Sequence, residues 1–318
     1  MPGVKTLARR HYVQRQLLAR RALLAVRQQW ARMDPARIRL SWQSGIGSAV
    51  FTIVSGAQYE AAAVADTSTS QMLAAQGVDA TAVATVAPSA FAGIASDGRD
   101  LASLLDLAVW QSLGALRTVT RPEDALKVGG QFLELATGLQ VVDAGRVADG
   151  VAIAARPAVT GWVRMLNPPS CDRCIVLAGK FYRWNDGFER HPRCDCRHIP
   201  ASEDTANDLR TDPKAYFDSL SPAEQDKTFG KAAAQAIRDG ADVSQVVNAR
   251  QGMRTASIGG HNVLSTTVGA SRFGGVRLMP EQIYRIAGGD REEAIRLLAG
   301  NGYLVRGVQH DAALAVTH

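Results

Sequence analysis

All four cysteines of this 318-residue chain fall within 26 consecutive positions, and that clustering restricts the fold more than any other feature. The pattern is Cys171-Asp-Arg-Cys174, sixteen residues, then His191-Pro-Arg-Cys194-Asp-Cys196-Arg-His198. Two thiols two residues apart can hold one metal from a tight turn, and a second pair can reach it across an intervening hairpin. Between the pairs, Ile175-Val-Leu177 and Phe181-Tyr-Arg-Trp184 read as short β-like runs around Ala178-Gly179-Lys180, and Asn185-Asp186-Gly187 is a turn signal. Zinc is the expected metal, because thiolates with an imidazole suit it and iron–sulfur centres use other spacings. Cys171 and Cys174 take two of the four tetrahedral places. His191, Cys194 and Cys196 compete for the other two, and His198 ranks behind them. A shell closed by four protein ligands leaves no place for a catalytic water, so the expected zinc is structural. The alternatives are unmetallated thiols or two disulfides, and a reducing compartment disfavours the latter. Trp162, Phe181, Tyr182 and Trp184 are expected to make a small core whose folding the metal would drive.

The rest of the chain reads as helical. With 46% apolar residues but only 6% aromatic, and with abundant Ala, it favours helices over a β-sandwich. The expected fold is mainly α with a small zinc-stapled β-hairpin module (α+β), a helical N-terminal domain and a short helical C-terminal region. Residues 1–40 form a basic helical arm, 41–160 a helical domain, 161–200 the zinc knuckle with its hairpin, and 201–318 a helical region interrupted by a Gly/Ser-rich loop at 251–275. Within these spans, residues 4–33 read as one helix stopped by Asp34-Pro35, and a second apolar stretch over 36–76 is bent by the Ser/Thr run Thr67–Ser70. Asp100–Leu116 keeps a 3–4 apolar spacing. Thr120-Arg-Pro-Glu123 and Ser221-Pro-Ala-Glu224 read as capping boxes. Short helices are expected over 242–249, 280–287 and 290–299.

Charge is unevenly spread. The net charge is +6, yet residues 1–40 hold ten Lys or Arg and one acid, Asp34, so the remainder is net acidic. Arg9, Arg10, Arg20, Arg21, Arg27 and Arg32 fall on one half of the first helix at 100° per residue, with Leu17 and Leu24 among them. Such a face is either the solvated side of a packed helix or a contact for nucleic acid, an acidic protein or an acidic lipid surface. No secretory h-region and no run of about 18 uncharged apolar residues is visible, so a soluble chain made in a reducing cytoplasm is expected, with no membrane span.

The segment Leu166-Asn-Pro-Pro-Ser-Cys171-Asp-Arg-Cys174, followed by His191-Pro-Arg-Cys194-Asp-Cys196, resembles the Mu gpF-like minor head proteins of tailed bacteriophages. That family pairs a Cys-x-x-Cys and a Gly-bearing hairpin with a terminal His-Pro-x-Cys-x-Cys. Phe229-Gly-Lys-Ala-Ala-Ala-Gln-Ala-Ile-Arg-Asp-Gly240, Val246-Val-Asn-Ala-Arg250 and Arg277-Leu-Met-Pro-Glu281 look like its actinobacteriophage branch, so the resemblance covers about residues 145–300. It implies a virion component of low copy number inside the capsid near the portal. Such a protein acts in head assembly, DNA packaging or ejection. Its implied partners are the portal protein, a scaffold or major capsid protein, and packaged DNA through the basic arm. Two other readings stand beside it. One is a capsid maturation protease using Ser257, His261 and Ser265, although no nucleophile motif surrounds them. The other is a zinc-containing DNA-binding regulator, although no reading head is recognisable.

Overall fold

The computed structural model describes residues 3–187, 196–258, 261–270 and 276–304. In chain order the first half is helical: α1 (Val4–Trp30), α2 (Ile38–Ser41), a π-helical turn (Trp42–Ile46), α3 (Gly47–Ala63), α4 (Ala65–Ala74), α5 (Leu101–Ala115) and α6 (Pro122–Ala154). There follow β1 (Gly161–Met165), α7 (Asp172–Ala178), β2 (Phe181–Arg183), β3 (Arg197–Ala201), α8 (Glu203–Leu209), α9 (Pro213–Asp218), α10 (Pro222–Phe229), α11 (Lys231–Arg238) and α12 (Val243–Ala249). The last elements are β4 (Met253–Ile258), β5 (His261–Thr266), β6 (Arg277–Leu278), α13 (Pro280–Ala287) and α14 (Arg291–Gly300). The chain is thus mainly helical with two small antiparallel sheets. It divides into two units, one of residues 1–165 with 181–210, the other of residues 166–180 with 211–318.

In the first unit α1 is continuous because no Gly or Pro interrupts a run of good helix formers. It buries Val4, Ala8, His11, Arg15, Ala19, Ala22 and Val26, spaced by three or four, and packs on α3 and α6. The expected basic arm is therefore an integral helix of this unit. α6 spans about 50 Å and carries glycines where neighbours come closest. A Cβ at Gly130 would sit 2.8 Å from the Trp30 indole nitrogen, and one at Gly129 would run into the Ser112 hydroxyl and the Ala108 carbonyl of α5. The π-helical turn holds Gly45 at φ +117 and turns Trp42 so that its Nε1 donates to Asp106 at 2.6 Å. The break in the 36–76 stretch falls at Val64, and Thr67–Ser70 lies inside α4. α6 begins at Pro122 with Arg121 at its N-cap and no side-chain capping bond, so the box expected from Thr120 does not form. Arg121 instead pairs with Asp124 at 3.1 Å.

The sheet of this unit has the order β2-β1-β3. Trp162, Val163 and Ile199 are buried in it, and a Cβ at Gly161 would collide with the Tyr182 carbonyl, so only glycine allows β1 and β2 to pair there. Trp162 stacks on Tyr182 with centroids 4.2 Å apart, whereas Trp184 is 54% exposed and takes no part in the core expected of it.

The second unit packs short helices around Phe217, Phe229, Ile237, Val246, Met279, Ile283 and Leu298. Aspartates at 212, 242 and 290 and the Ser221–Glu224 box cap their starts. Gly230 at φ +84 separates α10 from α11, where the sequence from the Ser221 box to about Arg238 reads as one helix ended by Asp239-Gly240. Two expectations fail here. Ile175-Val-Leu177 is helical, within α7, and Ile175 and Val176 are buried in the core of this unit. The Gly/Ser-rich stretch expected as a loop over 251–275 contains the β4–β5 hairpin, with β6 added to β5.

Candidate functional site

Cys171 is the N-cap of α7, and its Sγ accepts the backbone N–H of Cys174 at 3.4 Å. Extended backbone at Cys171 (φ −76, ψ 160) followed by helix is what places a side-chain acceptor over the first free N–H groups. Asp172 in the same turn pairs with Arg250 at 3.3 Å, and Arg250 also faces Glu281 at 3.7 Å, so the turn is tied to α13 within its own unit. Cys174 is buried and Cys171 half-buried.

Cys196 belongs to the first unit. It is buried immediately before β3, and its carbonyl accepts from Arg146 Nε at 3.1 Å. His191 and Cys194 lie outside the described residues. Among the described residues no three His, Cys, Asp or Glu side chains form a group able to hold a metal. His198, the last-ranked ligand, is buried on β3 with its ring edge-on to Trp162 at 4.4 Å. Burial, with Arg146 and Arg197 nearby, pushes it down to about 3, so it is neutral at pH 7.

Beside Cys196 lies a buried charge cluster that the sequence reading missed. Arg15 on α1 donates to both carboxylate oxygens of Asp149 on α6, at 2.6 and 2.8 Å, and Arg197 on β3 approaches the same carboxylate at 3.7 Å. Burial raises the Asp149 pKa, but Arg15, then His11 and Arg197, outweigh it and hold the group at about 2. Burial and the neighbouring Arg15 push Arg197 down to about 9 and His11 down to about 3. Asp149 is therefore the anion that holds two interior cations. The available signal was Arg15 itself, which sits on the apolar side of α1 at helical spacing from Ala8, His11, Ala19 and Ala22.

All six arginines expected on the outer face of the first helix are exposed, but α1 ends at Trp30 and not at residue 33, so Arg32 lies in the turn that follows it. Arg27 is engaged by Glu134 of α6 through two bonds of 2.7 and 2.6 Å, and Arg32 donates to Gln29 at 2.7 Å. Arg9, Arg10, Arg20 and Arg21 form no ion pair with any described residue. Between them, Val13, Leu17 and Leu24 are 45%, 47% and 57% exposed.

The three residues considered for proteolysis lie on the β4–β5 hairpin. Ser257 is exposed and pairs with Asn262 across the strands, while Ser265 is fully buried with its hydroxyl bonded to the Arg254 carbonyl at 3.3 Å. The backbone of His261 pairs with Ile258, and its side chain lies outside the described residues. Among the described residues no helix is long and apolar enough to cross a membrane.

No protein-family model, no curated protein and no solved structure matches this chain.

Proposed function

We propose that this chain is a minor head protein of a tailed bacteriophage, held near the portal inside the capsid and acting in head assembly, DNA packaging or ejection. The observation that carries the reading is the Cys171-Asp-Arg-Cys174 turn in one line with His191-Pro-Arg-Cys194-Asp-Cys196, the motif by which the sequence resembles that family. The exposed arginines of α1 support it, because a protein close to packaged DNA or to an acidic scaffold needs such a face.

The same reading gives the chain one structural zinc. Cys171 and Cys174 would hold it with two of His191, Cys194 and Cys196. The donor chemistry fits: the Cys174 N–H already donates to the Cys171 sulfur, as it would to a thiolate ligand. When bound, zinc supplies a cross-link and no catalysis. Cys171→Ser is expected to lower the metal content from about one zinc per chain, read by elemental mass spectrometry of the purified protein. Undiminished zinc in that variant removes Cys171 from the shell.

Mass spectrometry of purified virions and proheads tests the functional reading. The intact chain in mature particles supports it. The chain in proheads only, or cleaved, would replace it with a maturation role, and its absence from both would leave the zinc-containing DNA-binding reading.

A further inference from the structure

The outer face of α1 combines two features that one ligand must satisfy together. At 100° per residue Val13, Leu17 and Leu24 fall within about 40° of one another, a seam running about 16 Å along the helix. They are roughly half exposed. Arg9 and Arg20 border this seam on one side and Arg10 and Arg21 on the other, all exposed. The first acid in the chain is Asp34, beyond the end of α1. The opposite side of the helix is already buried in the first unit. Where a carboxylate does reach this face, at Arg27, Glu134 binds it through two parallel bonds of 2.7 and 2.6 Å.

We infer that this face docks an acidic amphipathic helix of a partner protein, its apolar residues on Val13, Leu17 and Leu24 and its Asp or Glu side chains on the flanking arginines. A nucleic-acid backbone would meet the arginines but leave the three apolar side chains in water, because a ridge of phosphates has no apolar surface to cover them. A helix whose apolar residues recur every three or four positions, bordered by acids, covers both. A membrane surface fits less well, since insertion needs a broad apolar face and this seam is narrow. The inference stands on these side chains and not on the virion reading.

The test uses the full chain and three probes: a fluorescent helical peptide with a leucine seam flanked by glutamates, a 30-base-pair duplex, and vesicles containing phosphatidylserine. The expected result is peptide binding that weakens at least tenfold in Leu17→Gln/Leu24→Gln and also in Arg20→Gln/Arg21→Gln. All four positions are exposed, so both variants should keep the helical circular-dichroism signal and melting temperature of the parent, which are measured alongside. A glutamine-seam version of the peptide should bind at least tenfold more weakly than the leucine one. The inference is overturned if the peptide does not bind, or if Leu17→Gln/Leu24→Gln binds it like the parent. It is also overturned if the duplex or the vesicles bind more tightly than the peptide and only the arginine variant reduces that binding, which makes the face a phosphate surface.

Discussion

Replacing Asp149 by Asn removes one charge and almost no volume, and it should be among the most damaging single changes in the first unit. The side chains of Arg15 and Asp149 are only 4% and 6% exposed, and Arg197 beside them is 5% exposed. With the carboxylate gone, two guanidiniums remain in the interior without the anion that both face. Breaking a buried pair in this way costs about 3–5 kcal/mol. A domain of this size loses about 2–4 °C of melting temperature per kcal/mol, so the transition should fall by roughly 6–20 °C. The assay is urea and thermal unfolding at pH 7, with hydrogen exchange of α1 and α6 amides to assign the loss to the unit that holds the pair. The second arm is Arg15→Met in the Asp149→Asn background. Methionine fills the arginine's channel without its charge, so the double variant should recover at least about 1 kcal/mol relative to the sum of the singles. A cost below about 1 kcal/mol for Asp149→Asn, or strict additivity in the double variant, would refute the view that this carboxylate holds the interior cations.

The same residue sets an acid limit. Its folded pKa, about 2, lies below the ordinary carboxylate value of 3.8, so its contribution is present above pH 3.8 and disappears as pH falls through about 2. That is worth about 2 kcal/mol, and in Asp149→Asn this part of the acid-induced loss should vanish from an unfolding series between pH 5 and pH 2. Gly129→Val should cost about 1–3 kcal/mol, because the added atoms meet the Ser112 hydroxyl and the Ala108 carbonyl of α5 and a backbone carbonyl cannot rotate away. Urea titration reads that loss, and an unchanged midpoint would mean that α5 and α6 are not held so close.

The helices whose signals are local were readable. α1 announced itself by an unbroken run of helix formers, α5 by its leucine spacing, and α10 by the Ser221–Glu224 box that forms with both reciprocal bonds. What escaped depended on distant partners. Ile175 and Val176 carry β-branched preference, but Cys171 caps a helix there and their burial among Phe217, Ile237 and Val246 outweighs propensity. The β4–β5 hairpin hid behind glycine and serine, although Thr255, Val263 and Thr266 supply the strand-forming residues. Thr120 looked like a cap because the motif was complete in sequence, yet the helix starts two residues later. At the candidate site, the cysteine spacing and the exposed arginines were visible, whereas the Arg15–Asp149 pair joins residues 134 positions apart and leaves only a misplaced arginine as its trace.

The way the chain divides has a consequence for the order of its synthesis. Residues 166–180 leave between β1 and β2, yet belong with residues 211–318. As the chain emerges, β1, β2 and β3 can close their sheet once Ala201 is made, while α7 with Cys171 and Cys174 has no core of its own to join. Ile175 and Val176 must wait at least until α9 and α12, the helices that α7 packs on, have been translated, roughly 2–10 s after Ala201 at about 5–20 residues per second. During that interval the Cys171–Cys174 turn is held at both ends by a finished sheet and is open to solvent. The same connectivity means that no single cut in the gene yields the second unit whole, since a fragment starting at residue 211 would lack the two residues that α7 contributes to its centre.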